Sequence, residues 1–500
     1  MTPADETGGN EAELIKTRRA KLEALREAGR DPFAITKFER THDIVSARET
    51  FERLAVEEHS NATVALAGRL QPLRRMGRKA LFADLADQTA RIQLYFREET
   101  MGDGFSLVKL LDRGDMIGIR GTPFRTKTGE LTVEVKEAAV LAKSLRPLPE
   151  KWHGLVDPES RYRHRYVDLM VNRPVLDTML SRSAIIAALR RYLDERGYVE
   201  VETPVLLAIA GGANARPFLT RSHALDIQLK LRIATELNLK RCIVGGIERV
   251  YEIGRTFRNE GIDRTHNPEF TMLELYEAYT DVEGMLRLCE GMVMAAADAA
   301  RVREKHEYAG KDIHLAAPFA RMTYFDAMQN FGGLSRADVL DESKARAEAK
   351  RLKLHVEPGA SHGHVIDKLF EAAVEPHLVN PTFITDYPVL ISPLAKRHVD
   401  DPQVVERFEM FIANMEIANA FSELNDPDDQ RVRFEAQAKE RAAGDPEAPE
   451  PDWDYVMALE YGMPPTGGIG VGLDRLIMIL TNQESIRDVL LFPLQKPEHG

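Results

Sequence analysis

Short runs in which apolar and polar residues alternate recur between Ala62 and Ala142. Alternation of this kind places successive side chains on opposite faces of a β-strand. The runs V-A-L-A-G-R-L, A-L-F-A-D-L, A-R-I-Q-L-Y-F, M-I-G-I-R-G and L-T-V-E-V are separated by glycine and polar turns. Strands of this number and length suit a small closed barrel. The pattern therefore predicts a β-barrel domain over residues 62–142.

A different periodicity precedes the barrel. Leu14, Leu22 and Leu25 recur at helical spacing, and Gly29 followed by Pro32 is a typical helix stop. We therefore expect residues 1–61 to form an N-terminal extension that contains a helix over residues 11–28, with residues 1–10 disordered.

The chain after the barrel divides into a linker and a long second domain. Residues 143–175 begin with the proline-rich stretch S-L-R-P-L-P-E-K-W-H-G and are predicted to be a linker. Residues 176–500 mix helical and strand patterns and are predicted to be an α+β domain. Within it, the acidic stretch 444–452 is expected to form an exposed loop.

One stretch of the second domain carries an unusual set of polar residues. Between Arg258 and Tyr276 the chain reads R-N-E-G-I-D-R-T-H-N-P-E-F-T-M-L-E-L-Y. In a β-hairpin, Arg258 and Glu260 would share a face of the first strand, and Phe270, Glu274 and Tyr276 a face of the second. A buried core has no use for unpaired acids. The hairpin is therefore predicted to bind a ligand that carries phosphate, a flat base and an amine.

A second cluster lies near residue 420. Asn419, Phe421 and Glu423 alternate along a predicted strand. If the stretch 404–423 turns at Ile412–Ala413, Glu409 pairs directly with Glu416, and two facing carboxylates favour a bound cation such as Mg²⁺. Strict alternation would put Glu416 on the face opposite Asn419, and a β-bulge between them would reconcile the two clusters.

Two glycine-rich segments are candidate ligand loops. The stretch T-G-G-I-G-V-G-L-D-R has glycines at 468, 470 and 472, which is not the dinucleotide spacing G-x-G-x-x-G, and too little chain follows for a βαβ unit. Gly212 lies in a second such loop, where the backbone can approach a ligand closely.

The predicted barrel carries its own candidate site. Arg74, Arg75, Arg78 and Lys79 lie next to Phe82. Basic residues beside an aromatic ring suit phosphate contact and base stacking, although Phe82 could instead be a core residue.

These motifs together resemble those of class II aminoacyl-tRNA synthetases. F-R-N-E followed by H-N-P-E-F resembles the second signature motif, and the G-x-G-x-D-R pattern that ends at Arg475 resembles the third. E-I-A-N-A-F-S-E-L-N-D is similar to a motif of the bacterial-type lysyl-tRNA synthetases, and the similarity extends over nearly the whole chain. The resemblance implies an OB-fold barrel joined to a class II catalytic domain, an antiparallel sheet flanked by helices.

The resemblance also implies an activity: activation of L-lysine with ATP and transfer to the 3′ end of tRNA(Lys). The implied catalytic residues are Arg258 and Arg475, and the implied roles of the others fall into four groups. ATP would contact Arg258, Glu260, His266, Asn267, Phe270, Glu409, Gly470, Gly472 and Arg475. Lysine would contact Gly212, Glu236, Arg258, Glu274, Tyr276, Asn419, Phe421 and Glu423. The anticodon would contact Phe82, Gln93 and Glu130, and Mg²⁺ would bind Glu409 and Glu416.

The chain departs from the family pattern at two positions. Asn238 stands where a tyrosine is usual, two residues after Glu236, and Met415 stands where a basic residue is usual. Neither removes an implied ligand contact. Thr235 is predicted to be the N-cap of the helix that begins near Glu236.

Composition restricts the class of protein. Five hundred residues allow two or more domains, and 44% hydrophobic with 29% charged residues is typical of globular proteins. Two cysteines make neither a disulfide framework nor a metal finger, and we expect a cytoplasmic protein without a membrane span. The resemblance implies a homodimer, with Pro204 near its interface.

Three alternatives stay open at this point. Aspartyl and asparaginyl synthetases share the architecture, but three acids would repel an acidic substrate. A paralogue that lysylates a protein would lack the anticodon barrel. A non-catalytic RNA-binding protein would not need the ATP-binding positions.

Overall fold

The structure, a computed structural model, describes residues 4–149, 155–213, 215–302, 304–357, 359–442 and 450–497. It has two compact units, Met1–Val156 and Asp157–Gly500. The predictions made for residues 1–3, 150–154 and 444–449 lie outside the described residues. None of the helices in these ranges has the length and apolar character needed to cross a membrane.

The first unit is built around a β-barrel. Its strands close in the order β1-β2-β3-β5-β4. The elements are α1 Ala4–Glu27, α2 Ile44–Thr50, β1 Val64–Arg75, β2 Ala80–Ala86, β3 Arg91–Arg97, α3 Glu98–Met101, β4 Met116–Arg125 and β5 Leu131–Ala142. The predicted barrel is confirmed. The prediction of disorder is wrong for residues 4–10, because α1 already begins at Ala4.

Alternation along the strands separates the inside of the barrel from its outside. Leu81, Ala83 and Leu85 of β2 are buried, whereas Phe82 between them is only partly buried. Leu25 of α1 and Ile44 of α2 are fully buried in the same apolar cluster. The outward face of β2 is therefore free to carry binding residues, while the helices complete the core.

The second unit is a sheet with helices. Its strands are β6 Val199–Glu200, β7 Leu206–Leu207, β8 Leu219–Ser222, β9 Ile227–Leu231, β10 Arg249–Phe257, β11 Glu269–Ala278, β12 Lys305–Tyr308, β13 Lys311–His314, β14 Ala320–Thr323, β15 Thr382–Thr385, β16 Arg407–Ile412, β17 Met415–Ser422 and β18 Thr466–Gly472. Its helices are α4 Pro158–Arg163, α5 Arg165–Val171, α6 Arg173–Asp194, α7 Glu236–Val244, α8 Val282–Ala299, α9 Tyr324–Ala327, α10 Arg336–Leu340, α11 Glu342–Arg351, α12 His362–Ala373, α13 Pro427–Ala442, α14 Trp453–Glu460, α15 Leu473–Leu480 and α16 Ile486–Val489.

The large sheet runs in the order β14-β15-β16-β17-β18-β11-β10-β6. Neighbours from β15 to β10 are antiparallel, but β14 pairs with β15 in parallel and β6 with β10 in parallel. The sheet is therefore antiparallel in its central part, as predicted, and becomes mixed through one parallel strand pair at each edge. Residues of α6, α8 and α15 cover one face and form the main apolar core, as shown by Leu189, Met292 and Ile477.

The region predicted to be a linker is partly ordered in the second unit. Helices α4 and α5 lie within residues 143–175. Arg165 is fully buried, and its guanidinium lies 2.6 Å from Asp168 and donates to the carbonyl of Arg487 at 2.9 Å. A fixed guanidinium of this kind ties α5 to the C-terminal end of the second unit, so residues 158–171 are structural.

Candidate functional site

The sheet face opposite the main core forms a cavity of about 810 Å³. Every residue of the second unit that sequence analysis assigned to a site lines it. These residues are Gly212, Glu236, Arg258, Glu260, His266, Asn267, Phe270, Glu274, Tyr276, Glu409, Glu416, Asn419, Phe421, Glu423, Gly470, Gly472 and Arg475. Segments more than 250 residues apart in sequence thus converge on one concave surface, the usual location of a ligand site.

The hairpin of β10 and β11 supplies one wall. Strand β10 ends at Phe257, so Arg258 and Glu260 lie in the loop and not on the strand as predicted. The backbone N–H of Arg258 still donates to the carbonyl of Pro268 at 2.9 Å. Its guanidinium carbon lies 5.2 Å from the centre of the Phe270 ring. The predicted pairing of a cation with an aromatic surface is therefore present, although the loop and not the strand positions it.

Glu274 is a buried acid at the centre of β11. It accepts hydrogen bonds from the hydroxyl of Thr235 at 2.7 Å and from the backbone N–H of Thr235 at 3.1 Å. Burial raises the pKa of Glu274 to about 7, and the nearby charge of Glu236 adds to the rise. Thr235 precedes α7, but its side chain makes no capping hydrogen bond. Thr235 is thus at the predicted N-cap position, but its hydroxyl orients Glu274 and does not cap the helix.

Glu423 follows β17 and is almost fully buried, with 1% of its surface exposed. Among the described residues, its Oε1 atom has no hydrogen-bond donor. Tyr276 and Phe421, which alternate with the acids along β11 and β17, line the cavity beside it. A buried carboxylate oxygen without a donor is costly unless a ligand supplies one, so this end of the cavity suits an ammonium group.

Gly468 makes room for that carboxylate. A Cβ atom at this position would overlap the Oε1 atom of Glu423 and the ring of Tyr276. At Gly470 the nearest atom to such a Cβ would be the flexible end of Met272, at 3.2 Å. The sequence pattern pointed to Gly470 and Gly472 as ligand contacts, but it could not show that Gly468 is the position where a side chain is excluded.

His266 and Arg475 meet at the other end of the cavity. Nη2 of Arg475 donates to Nε2 of His266 at 2.9 Å, because arginine has no acceptor. Nδ1 of His266 then carries the proton and donates to Asp263 at 2.8 Å. Arg475 also donates to the carbonyl of Glu416 at 3.0 Å. The loop after β10 and the start of α15 thus hold the guanidinium of Arg475 in a fixed orientation, which suits phosphate binding.

Asp474 fixes the start of α15, and sequence analysis did not assign it a role. Its carboxylate lies 2.5 Å from Arg182 of α6 and accepts the backbone N–H of Thr271 at 2.7 Å. The side chain is almost fully buried. This pair anchors the residue before Arg475 to β11. Its position next to Arg475 in the third motif was the only available signal.

The register of β16 and β17 differs from the predicted hairpin. The turn is at Ala413–Asn414, and Glu409 lies opposite Asn419, while Glu416 lies opposite Phe411. The predicted direct pairing of Glu409 with Glu416 is therefore wrong. A register shift next to Met410 leaves Ile417 without a partner. This irregularity lies where a bulge was required, so Glu409 and Glu416 line the same cavity as Asn419.

Glu409 already has protein partners. Its Oε1 lies 2.5 Å from the guanidinium of Arg407, and its Oε2 accepts from the hydroxyl of Tyr387 at 2.8 Å. Burial nevertheless raises the pKa of Glu409 to about 7, with Arg407 opposing the rise and Glu416 adding to it. Arg407 and Tyr387 were not predicted from the sequence as partners of Glu409, because these contacts depend on the fold.

More acids lie on this side of the cavity. Asp367, Glu371 and Glu375 also line it, and burial together with the charges of Glu371 and Glu409 raises the pKa of Glu375 to about 8. Within the described ranges, no group of three or more acids, histidines or cysteines could hold a metal ion by itself. The pair Glu409 and Glu416 fits Mg²⁺ that takes its other ligands from water and substrate phosphates.

The two departures from the family pattern lie outside the cavity lining. Asn238 is half-buried on α7, and Met415 at the start of β17 packs against the main apolar core. A methionine there is accommodated because its side chain meets apolar neighbours.

The barrel of the first unit presents a separate surface. Phe82 stacks on Tyr95 with ring centres 4.4 Å apart, and Tyr95 lies 6.1 Å from Phe124, which stacks on His59 at 4.7 Å. Phe82 is therefore an outer-face residue and not part of the barrel core. The other three rings were not assigned from sequence, although the alternation in β3 and β4 could have indicated Tyr95 and Phe124.

Polar residues border this aromatic row. Gln93 accepts from the hydroxyl of Thr132 at 3.0 Å, and Glu130 is exposed immediately before β5. Arg74, Arg75, Arg78 and Lys79 are exposed on and after β1. Rings, hydrogen-bonding groups and cations on one barrel suit single-stranded nucleic acid.

Comparisons with known proteins agree with this geometry. Residues 157–496 match the family described as tRNA synthetases class II (D, K and N), and residues 64–141 match the OB-fold nucleic acid binding domain. The chain belongs to the class II tRNA synthetases of this group and carries an N-terminal OB-fold.

Three relatives of this chain carry the name lysine–tRNA ligase. The chain is 53% identical to a lysine–tRNA ligase of Moorella thermoacetica over 489 residues, which cover 98% of this chain and 99% of that protein. It is 51% identical to one of Thermoanaerobacter sp. (strain X514) over 491 residues, 97% of each chain. It is 50% identical to one of Enterococcus faecalis over 482 residues, 96% of each chain.

Proposed function

We propose that this protein is a lysine–tRNA ligase, which activates L-lysine with ATP and transfers it to the 3′ end of tRNA(Lys). The observation that carries the proposal is the acidic end of the cavity, where Glu236, Glu274 and Glu423 converge beside Tyr276 and Phe421. Lysine brings two ammonium groups, which such a set can satisfy. The names and full-length coverage of the relatives support the same substrate.

In the first step, the lysine carboxylate attacks the α-phosphate of ATP, and pyrophosphate leaves. Arg258 would neutralise both reacting anions, because it lines the same cavity as the acids and its guanidinium carbon lies 5.2 Å from the centre of the Phe270 ring. Phe270 offers a face for adenine, and Glu260 a carboxylate for its amino group. Among the described residues that line the cavity there is no cysteine, no serine–base pair and no free lysine that could act as a nucleophile. The lining residues therefore act by positioning and charge stabilisation.

Arg475, His266 and Asn267 would bind the phosphates. Arg475 is held between Glu416 and His266, so its orientation is set before ATP arrives. Asn267 is almost fully buried, and its Nδ2 donates to the carbonyl of Glu269 at 2.6 Å. Donors that are already oriented cost little to reorganise as charge develops on the phosphate.

Glu409 and Glu416 would hold Mg²⁺ together with phosphate oxygens. The ion supplies charge neutralisation for the triphosphate. We expect Glu409→Gln combined with Glu416→Gln to raise the Mg²⁺ concentration for half-maximal adenylation several-fold, because both anionic ligands are lost. A magnesium titration of lysine-dependent ATP–pyrophosphate exchange measures this.

The matched control exchanges two acids distant from the cavity lining, Glu283→Gln with Glu460→Gln, which are about half exposed. Its titration should follow the wild type. If the Glu409–Glu416 double variant also overlays the wild type, the metal binds elsewhere.

The experiment that tests the whole proposal is ATP–pyrophosphate exchange with each of the twenty amino acids. Lysine should support exchange, and aspartate and asparagine should not, because the carboxylate of aspartate would meet three carboxylates and the amide of asparagine brings no second ammonium group. Exchange with aspartate or asparagine would favour the related enzymes of this group. Absence of exchange with every amino acid would favour a non-catalytic RNA-binding protein.

The OB-fold would read the anticodon through Phe82, Gln93 and Glu130. We expect Phe82→Ala to weaken tRNA charging by about 1–3 kcal/mol in kcat/KM for tRNA, the usual contribution of one stacked base. Lysine-dependent pyrophosphate exchange should stay near the wild-type rate, since that step needs no tRNA.

Phe33→Ala is the control, because Phe33 is 54% exposed in the first unit and is not one of the stacked rings. It should leave both assays unchanged. Equal losses of charging and exchange in Phe82→Ala would instead identify Phe82 as a residue needed for the fold.

We further infer a homodimer in the cytoplasm, where ATP and tRNA are available. Val199, Val205 and Leu206 are 40–51% exposed on either side of Pro204. Leu219 and Ile227, on neighbouring strands β8 and β9, are also exposed. An exposed apolar group of this kind is typical of an interface with a second copy, and sedimentation of the protein would test it.

A further inference from the structure

A lysine side chain of the protein itself lies against the acidic end of the cavity. Lys240 is in α7, one helical turn after Glu236, and is fully buried. Its Nζ lies 2.6 Å from Glu236 Oε1 and is also in contact with Glu423 Oε2. One ammonium group therefore bridges two of the three carboxylates proposed to receive the ammonium groups of lysine.

Aromatic rings surround the same ammonium. Its Nζ lies 5.3 Å from the centre of the Phe421 ring, 5.8 Å from that of Tyr276 and 5.9 Å from that of Tyr455. These distances are within the range of cation–π attraction. Burial lowers the pKa of Lys240, but the charges of Glu236 and Glu423 outweigh it and hold that pKa above its usual value. Lys240 is thus charged in this environment.

Lys240 does not line the cavity, whereas both of its carboxylate partners do. Its ammonium therefore supports the acids from behind and leaves the cavity side of Glu423, including Oε1, available to a ligand. A residue in this position serves as a counterion for the pocket and not as a competitor for the substrate site.

The counterion changes the net charge of the acidic end of the cavity. Glu236, Glu274 and Glu423 bring three negative charges when ionised, and Lys240 brings one positive charge. The remaining two negative charges equal the two ammonium groups of lysine, while the substrate carboxylate is left for Arg258.

We propose that Lys240 is a positioning and specificity-determining residue, which holds Glu236 and Glu423 in place before lysine binds and matches the pocket charge to a diamino acid. The inference rests on the proposed function and deepens it.

The titratable and charged groups around Lys240 come from several elements. Glu236 and Arg241 lie on its own helix, Tyr276 and Glu274 on β11, Glu423 after β17, and Tyr455 on α14, with Arg258 beyond Glu274. Arg241 is engaged by Asp452 and Asp454. Lys240 is the cation in contact with both Glu236 and Glu423, so its removal leaves those acids to repel each other.

The test is Lys240→Met, which keeps an unbranched side chain and removes the charge. Burial raises the pKa of Glu423 and the charge of Lys240 opposes that rise, so without the counterion this pKa rises further and lysine must displace a proton to bind. We expect KM for lysine in pyrophosphate exchange to rise about tenfold or more at about pH 7, as for a buried polar group left without its partner. Because the acid ionises again as the pH rises, the increase should shrink towards about pH 9. KM for ATP should change by less than about twofold.

Calorimetric titration with lysine in buffers of different ionisation enthalpy measures the number of protons released on binding. A purely structural role of Lys240 would leave this number unchanged. Lysine binding to Lys240→Met should release about one proton more than binding to the wild type. Arg241→Met is the matched control, since it removes a cation from the next position of the same helix and should release no extra proton. If Lys240→Met does not fold, Lys240→Gln, which can still donate to both carboxylates, replaces it.

Each outcome has a separate meaning. A pH profile and proton count equal to those of the wild type would overturn the role of Lys240, and so would tighter lysine binding, which would make Lys240 a competitor. Wild-type protein that shows no lysine-dependent exchange would overturn the proposed function itself.

Discussion

Glu423→Gln is expected to lower kcat/KM for lysine by about 1.5–3 kcal/mol, or roughly 10- to 150-fold, the range for a hydrogen bond to a charged group. Glutamine keeps the shape of the side chain and removes the charge that would face the ε-ammonium of lysine. The loss should lie towards the upper end of this range, because Lys240 would also lose one of its two carboxylate partners. Lysine-dependent pyrophosphate exchange measures it, with KM for ATP as an internal reference.

Glu283→Gln is the control, because Glu283 is about half exposed in the first turn of α8 and does not line the cavity. It should retain the wild-type kcat/KM. An unchanged kcat/KM for lysine in Glu423→Gln would remove Glu423 from the lysine site and move the ε-ammonium to another acid.

Gly468→Ala should have an effect of comparable or greater size. The new methyl group would overlap Glu423 Oε1 and the Tyr276 ring, and both side chains are buried and cannot move freely. Overpacking of this kind costs about 1–3 kcal/mol, and displacement of Glu423 adds the loss expected for Glu423→Gln. We therefore expect lysine-dependent exchange to fall by about a hundredfold or more.

Gly359→Ala serves as the comparison, since a Cβ at Gly359 meets no atom within 4 Å. It should be active and as stable as the wild type in a thermal melt. If Gly468→Ala keeps its activity, the space beside Glu423 is larger than the structure indicates, and the ammonium site must lie elsewhere.

Alternation along strands made much of the site predictable. Phe270, Glu274 and Tyr276 lie on the cavity face of β11 because side chains two apart share a face. Asn419, Phe421 and Glu423 do so for the same reason. The barrel was predictable from the same periodicity, since buried apolar residues such as Leu81, Ala83 and Leu85 alternate with more exposed ones.

Contacts between distant segments were not predictable. Arg258 was placed on a strand, but β10 ends one residue earlier, because strand ends depend on pairing and not on local pattern alone. Thr235 fits the pattern of a helix cap, yet its hydroxyl donates to Glu274, 39 residues away. The sequence pattern around Lys240 is that of an ordinary helix lysine. Its contact with Glu423 arises only from the fold.

The turn between β16 and β17 lies one residue later than predicted. Ala413 and Asn414 both have positive φ values, 55° and 68°, as a tight two-residue turn requires. Asparagine favours this conformation but alanine does not, so only one of the two turn residues indicates the turn. A shift of one residue in the turn changes every cross-strand partner.

The unpaired Ile417 divides β17 into two segments of opposite parity. Before it, the even-numbered Glu416 faces the cavity; after it, the odd-numbered Asn419, Phe421 and Glu423 do, while Ala418 and Ala420 are buried in the core. A deletion or insertion of one residue between 418 and 422 would exchange these faces and place a carboxylate among apolar side chains. This strand should therefore accept substitutions far more readily than changes in length, and length variation in the family should be confined to the loops beyond it.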